Sequence, residues 1–186
     1  LILSFFLTLS VLTSTYSMVV VTITQSGNDV LLEGSGTLNT SSLAPVNHDW
    51  AGLENISGFG YPQVVFNAGR MFWRERWHGN ISGPDIGDLI HLYHSNTYEN
   101  TYHRPDVFSG DYFGIAEQVS NTVGNKILIP HNYVSGAFLQ ASYTFYNKTL
   151  NDFGLTGTES DLTWTWGEGA SQDSFVLKVT PVPEPS

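Results

Sequence analysis

The sequence predicts a single all-β domain, an antiparallel β-sandwich of jelly-roll or Greek-key type, and three observations lead there. Short runs of β-branched and aromatic residues recur between Gly, Asn and Pro punctuation. The last two runs alternate apolar with polar residues at period two, as half-buried strands do. No stretch shows the long, capped 3.6-residue periodicity of a substantial helix, and no repeat of twenty to fifty residues stands out. At 186 residues the chain suits one domain. Charged residues make up 13% of it, about half the usual share, while Ser, Thr, Asn and Gly fill polar positions and aromatics reach 13%. That balance favours strands and turns over surface helices.

Leu1 to Leu12, LILSFFLTLSVL, is an apolar run of signal-peptide length followed by small residues at Thr13, Ser14, Thr15 and Ser17. Residues 1–17 are therefore expected to be the h-region and cleavage region of a secretory signal. The run is too short, and too interrupted by Ser4, Thr8 and Ser10, for a bilayer-spanning helix. A buried first strand is the competing explanation. With neither Met nor a basic n-region ahead of it, the reading frame is expected to start upstream.

The domain proper is expected over residues 18–180. Met18 to Leu38 contains two β-branched runs around the turn formers Gln25-Ser26-Gly27-Asn28-Asp29, which predicts a hairpin. Asn39 to Pro62 reads as a long irregular surface stretch. Gln63 to Asn67 is a candidate strand, and Met71 to Trp77 leans to strand over helix. Ile86 to Tyr93 reads as a strand, and His94 to Ser109 as a polar loop. The second half is clearer, with strands expected at Asp111–Glu117, Lys126–Ile129, Ala137–Tyr146, Asp161–Trp166 and Ser174–Thr180. Leu162, Trp164 and Trp166 alternate with threonines, and Phe175, Leu177 and Val179 with Val176, Lys178 and Thr180, so one face of each strand must be buried. Beyond Thr180 the prolines of Pro181-Val182-Pro183-Glu184-Pro185-Ser186 cannot donate to a ladder and favour extended geometry.

Composition also limits the chemistry. Seven Lys and Arg stand against 17 Asp and Glu, a net charge of -10, which argues against a footprint on nucleic-acid phosphates. The absence of cysteine excludes disulfides, thiolate zinc and thiol nucleophiles. His91, His94 and His103 lie close in sequence, but strand residues three apart face opposite ways and no HExxH helix is present, so no metal site is assigned. Asp85 and Asp88 lack the dense acidic spacing of a calcium loop and are better explained as Asx turns. There is neither a Gly-x-Ser-x-Gly elbow nor a phosphate-binding Gly loop. Glu75, Glu99, Glu117 and Glu168 could pair as glycosidase carboxylates only across a cleft that sequence cannot define. No catalytic residue and no cofactor are assigned.

One aromatic cluster stands out. Tyr61, Trp73 and Trp77, with Arg74 beside them, offer flat rings and hydrogen-bond donors that could stack on sugar rings. In so aromatic a chain such rings are more often core, and Trp164 and Trp166 are read as core for that reason.

Val182-Pro183-Glu184-Pro185, directly after a terminal strand, resembles the opening of a PEP-CTERM sorting signal. The body is similar to small PEP-CTERM domain proteins at Val20 to Leu38, Ser109 to Ile115, Ile129 to Gly136, Phe153 to Leu155 and Thr163 to Gly167. The resemblance implies Sec-type export, processing by a membrane sorting enzyme of exosortase type, residence at the cell surface or outside the cell, and association with extracellular polysaccharide. Residues 181–186 would then begin the sorting signal, and an apolar segment and basic cluster are expected downstream. The function expected is that of a non-catalytic surface or biofilm-matrix protein. A secreted carbohydrate-binding module and a secreted hydrolase are the alternatives.

Overall fold

Val19, Val21 and Ile23 alternate with Val20, Thr22 and Thr24, and Val30 and Leu32 with Leu31 and Glu33. This pattern folds as the expected hairpin. In the computed structural model, which describes residues 17–51, 63–66, 72–84, 105–118 and 124–180, strand β1 spans Ser17–Ser26 and β2 spans Asp29–Thr37. The two-residue turn between them begins at Gly27 with φ of 60°, a backbone conformation that costs a glycine nothing sterically.

Nine further strands follow among the described residues: β3 (Ala44–Ala51), β4 (Gln63–Phe66), β5 (Phe72–His78), β6 (Val107–Gly110), β7 (Phe113–Gln118), β8 (Gly124–Pro130), β9 (Phe138–Phe145), β10 (Leu162–Trp166) and β11 (Asp173–Thr180). They form a six-stranded sheet in the order β10-β11-β1-β2-β9-β6 and a five-stranded sheet in the order β3-β5-β8-β7-β4. Short 3₁₀ turns at Leu150–Phe153 and Gly169–Ser171 are the only helical elements among the described residues. None of those residues forms a helix long and apolar enough to cross a membrane.

The all-β expectation holds, but the sheets are not wholly antiparallel. β1 pairs with β11 in parallel, from Ser17 opposite Asp173 to Thr24 opposite Thr180. Parallel neighbours need a long connection, and here it is everything between β1 and β11, the first and last strands among the described residues.

The two sheets share one apolar core. Val19, Val21, Ile23, Phe175 and Leu177 of the larger sheet join Phe113, Ile115, Ile127 and Ile129 of the smaller in a single cluster of buried side chains. Trp164 and Trp166 are buried in it as the alternation required, and Trp164 meets Phe175 edge to face at 6.0 Å. The 3₁₀ turn after β9 plugs the cluster with Phe153, whose ring lies 4.9 Å from that of Phe145. The segment leaving β5 then crosses to the outer edge of β10. There Ser82 exchanges two backbone hydrogen bonds with Thr165, at 2.9 and 2.7 Å, and the Trp164 indole donates to the Pro84 carbonyl at 2.9 Å.

Two stretches differ from expectation. Asn39 to Pro62, read as irregular, contains β3, and the polar stretch His94 to Ser109 ends in the first residues of β6. Both strands depend on long-range pairing. β3 is poor in strand formers and lies against β5 with a register shift between Pro45 and Asn47, while β6 lies on the edge of the larger sheet beside β9. The expected strand Ile86–Tyr93 falls outside the described residues.

Candidate functional site

The inward positions of β11 are Phe175, Leu177, Val179 and, at its first residue, Asp173. Period-two geometry thus places a carboxylate where an apolar side chain belongs, and Asp173 is only 2% exposed. A buried carboxylate needs donors. Asp173 has three: the Asn39 backbone N–H on Oδ2, its neighbour Ser174 N–H at 2.6 Å on Oδ1, and the Ser17 hydroxyl at the start of β1. Burial nevertheless outweighs those donors and pushes its pKa up to about 6.

Asn39 is the centre of the arrangement. It follows β2, where the chain leaves the sheet and its backbone groups lose their ladder partners. Its N–H goes to Asp173, and its carbonyl accepts the Trp166 indole N–H at 2.9 Å. The side-chain Nδ2 donates to the Ala170 carbonyl at 3.2 Å, and Oδ1 accepts both the N–H and the hydroxyl of Ser41 at 3.0 and 2.6 Å.

The loop after β8 closes the other side. Tyr133 Oη accepts the Leu38 N–H at 2.9 Å and donates to the Ala137 carbonyl at 2.6 Å, while burial holds the phenol above its ordinary pKa. Thr40 N–H donates to Ser135 Oγ at 3.0 Å, and Gly136 N–H to the Leu38 carbonyl at 2.8 Å. Three segments, those ending at Leu38, Gly136 and Gly167, therefore meet around one asparagine.

Beside this knot lies an open cleft of about 390 Å³ lined by Ser17, Thr163, Thr165, Gln172, Asp173 and Ser174. Its chemistry is that of hydroxyls and an amide around one carboxyl whose oxygens already accept internal hydrogen bonds. Such a lining can hydrogen-bond a hydroxylated molecule. A general acid and base working together need two titratable groups, and in this lining Asp173 stands alone.

A second polar knot closes the far end of β1. Gln25 occupies the inward position after Ile23 and is 5% exposed. Its Nε2 lies within hydrogen-bond distance of the carbonyls of Gly27, Asp29 and Lys148, at 2.9, 3.1 and 3.0 Å, and Oε1 accepts the Leu150 N–H at 2.8 Å. Sequence reading passed over both knots. The signal that could have found them is a polar residue at an inward position of an otherwise apolar alternation.

Of the aromatic cluster singled out from sequence, Trp73, Arg74 and Trp77 share strand β5. Trp77, in β5, is half-buried and packs against the shared core. Trp73 and Arg74 lie in the same strand with backbone partners Trp50 and Asp49 of β3, and the description there covers the backbone alone. Tyr61 lies outside the described residues, as do His91, His94, His103, Asp85, Asp88, Glu99 and the sorting motif Val182, Pro183, Glu184 and Pro185. Glu75 and Glu117 sit in β5 and β7 of the smaller sheet, and Glu168 is exposed beside the 3₁₀ turn at Gly169. Among the described residues, no three His, Asp or Glu side chains gather as metal ligands would.

No family model matches the chain, and neither a curated protein nor a solved structure matches it.

Proposed function

We propose that this chain is an exported, non-catalytic surface or extracellular-matrix domain, sorted through its Pro-Glu-Pro segment. The observation that carries this reading is how the resemblance segments are used. Asn39, Tyr133, Ser135, Trp166 and Asp173 converge, and their polar atoms bond to the chain itself, so this convergence serves cohesion. A domain with no cysteine, delivered outside the cell, must hold together by packing and hydrogen bonds alone. Strand β11 ends at Thr180, directly ahead of Pro181 and the Val182–Pro185 motif, where a sorting signal would have to begin.

In this reading the partner during export is an exosortase-type membrane enzyme, and the surroundings afterwards are extracellular polysaccharide. The test is to express the complete gene in hosts with and without the sorting enzyme. A loss of mass and a change of location that depend on the enzyme support the proposal, whereas identical mass and location in both hosts overturn it.

Binding of a hydroxylated ligand in the cleft beside Asp173 is a second reading, favoured by its hydroxyl-rich lining. A glycan array with the intact chain tests it. No binding ends it.

A further inference from the structure

Among the described residues the chain enters at Ser17, the start of β1, and leaves at Thr180, the end of β11, and these residues lie at opposite ends of one strand pair. β1 and β11 are neighbours and parallel, with eight pairs in register from Ser17–Asp173 to Thr24–Thr180. Entry and exit are thus separated by the length of that ladder, roughly 25 Å at about 3.3 Å per residue.

We propose that the β1–β11 pair is a shear clamp, which lets the domain carry tension applied between its two ends. A pull at Ser17 and an opposing pull at Thr180 both act along the strand axes, in opposite senses, so β1 is driven lengthwise past β11. The evenly spaced hydrogen bonds of a parallel ladder then share the load and must fail together. A pull across the sheet instead concentrates load on the bonds nearest the attachment, which fail in turn.

Three further features suit β1 to this role. It is an interior strand, held by β2 on its other side over another eight pairs, so sliding it breaks two ladders at once. Val19, Val21 and Ile23 face Phe175, Leu177 and Val179 within the buried core, which keeps water from the inner side of the ladder. Both ends are pinned, by Asp173 to Asn39 and Ser17 at the entry and by Gln25 to Leu150 and three carbonyls at the far end.

The inference concerns the described domain and stands whether or not the chain is sorted. It would give a surface protein tethered at one end, and gripped by matrix at the other, the resistance such a position demands.

The chain contains no cysteine, so introduced ones are unique handles for single-molecule pulling. In the full-length chain, the pair Met18→Cys and Thr180→Cys loads the ladder in shear, whereas Thr163→Cys and Ser109→Cys pull the larger sheet apart from its β10 and β6 edges. All four positions are exposed, and chemical denaturation of each variant is measured alongside, so that the forces are compared between variants of equal stability. The unfolding force in the shear direction is expected to exceed the crosswise force several-fold at the same loading rate, with the domain opening in one step. Equal forces in the two directions, or β1 peeling away first at low force, would overturn the proposal. Because force is read without reference to export or ligand, its failure leaves the sorting reading untouched.

Discussion

The carboxylate of Asp173, at the first position of β11, accepts the backbone N–H of Asn39, 134 residues earlier and just past the end of β2. This contact joins the segment that leaves β2 to the first residue of β11, beside the start of β1. Removing its acceptor has a foreseeable cost. Asp173→Ala leaves the Asn39 and Ser174 N–H groups without their acceptor in a buried place, which should destabilise the domain by about 1–3 kcal/mol. The midpoint of urea denaturation measures it, and an unchanged midpoint would remove the contact from the list of stabilising interactions.

The same carboxyl predicts a pH dependence of definite sign. Its folded pKa, about 6, lies above the unfolded value of about 4, so the native state binds the proton more tightly. The stability this group contributes is fully present below pH 4 and is lost as pH rises through 6, by on the order of 3 kcal/mol over the whole window. Asp173→Asn, which cannot titrate, should flatten that part of the profile. A wild-type midpoint that rises between pH 4 and 7, with no difference in slope for the variant, would contradict the assignment.

Gly83 lies against the indole of Trp164. A Cβ there would fall 2.2 Å from Trp164 Cδ1, and Trp164 is fixed by core packing and its hydrogen bond to Pro84. Gly83→Ala should therefore cost about 1–3 kcal/mol through overpacking, visible as a lower denaturation midpoint and altered tryptophan fluorescence.

Lys178 and Asp161 form an ion pair at 3.2 Å, but the side chains are 47% and 53% exposed. Water and salt screen such a pair, so Lys178→Gln should change stability, read from the urea midpoint, by less than about 1 kcal/mol at low ionic strength, and by less still as salt is added.

Trp77→Ala separates packing from ligand binding. Because Trp77 is half-buried against the core, truncation should lower stability by on the order of 2 kcal/mol. A variant of unchanged stability that loses retention on a polysaccharide affinity gel would return Trp77 to the role of a sugar platform.

Alternation made β1, β2, β10 and β11 legible from sequence, because each buries one face and exposes the other. β3 was hidden because Pro45, Asn47, His48 and Asp49 disfavour strands locally, and pairing with β5 overrides that preference. The parallel contact of β1 with β11 lies beyond local patterning altogether, since nothing in either strand names its neighbour. The polar knots were half legible. Gln25 and Asp173 each break an inward apolar series, which marks a buried polar group, but the partners, Leu150 and Asn39, are fixed only by the tertiary fold. Tyr61, Trp73 and Trp77 cluster in sequence, which does not say which face a ring takes, and the strand that holds Trp77 sets it against the core.

The tie between Asn39 and Asp173 is tested most directly by native-state hydrogen exchange at the Asn39 amide. If that amide is locked by the buried carboxylate, it exchanges only when the whole domain unfolds, as slowly as the amides of Val21 and Ile23 in the centre of β1. Exchange at the rate of an exposed loop, in an otherwise folded protein, would show that the buried carboxylate does not hold the segment after β2 against the start of β11.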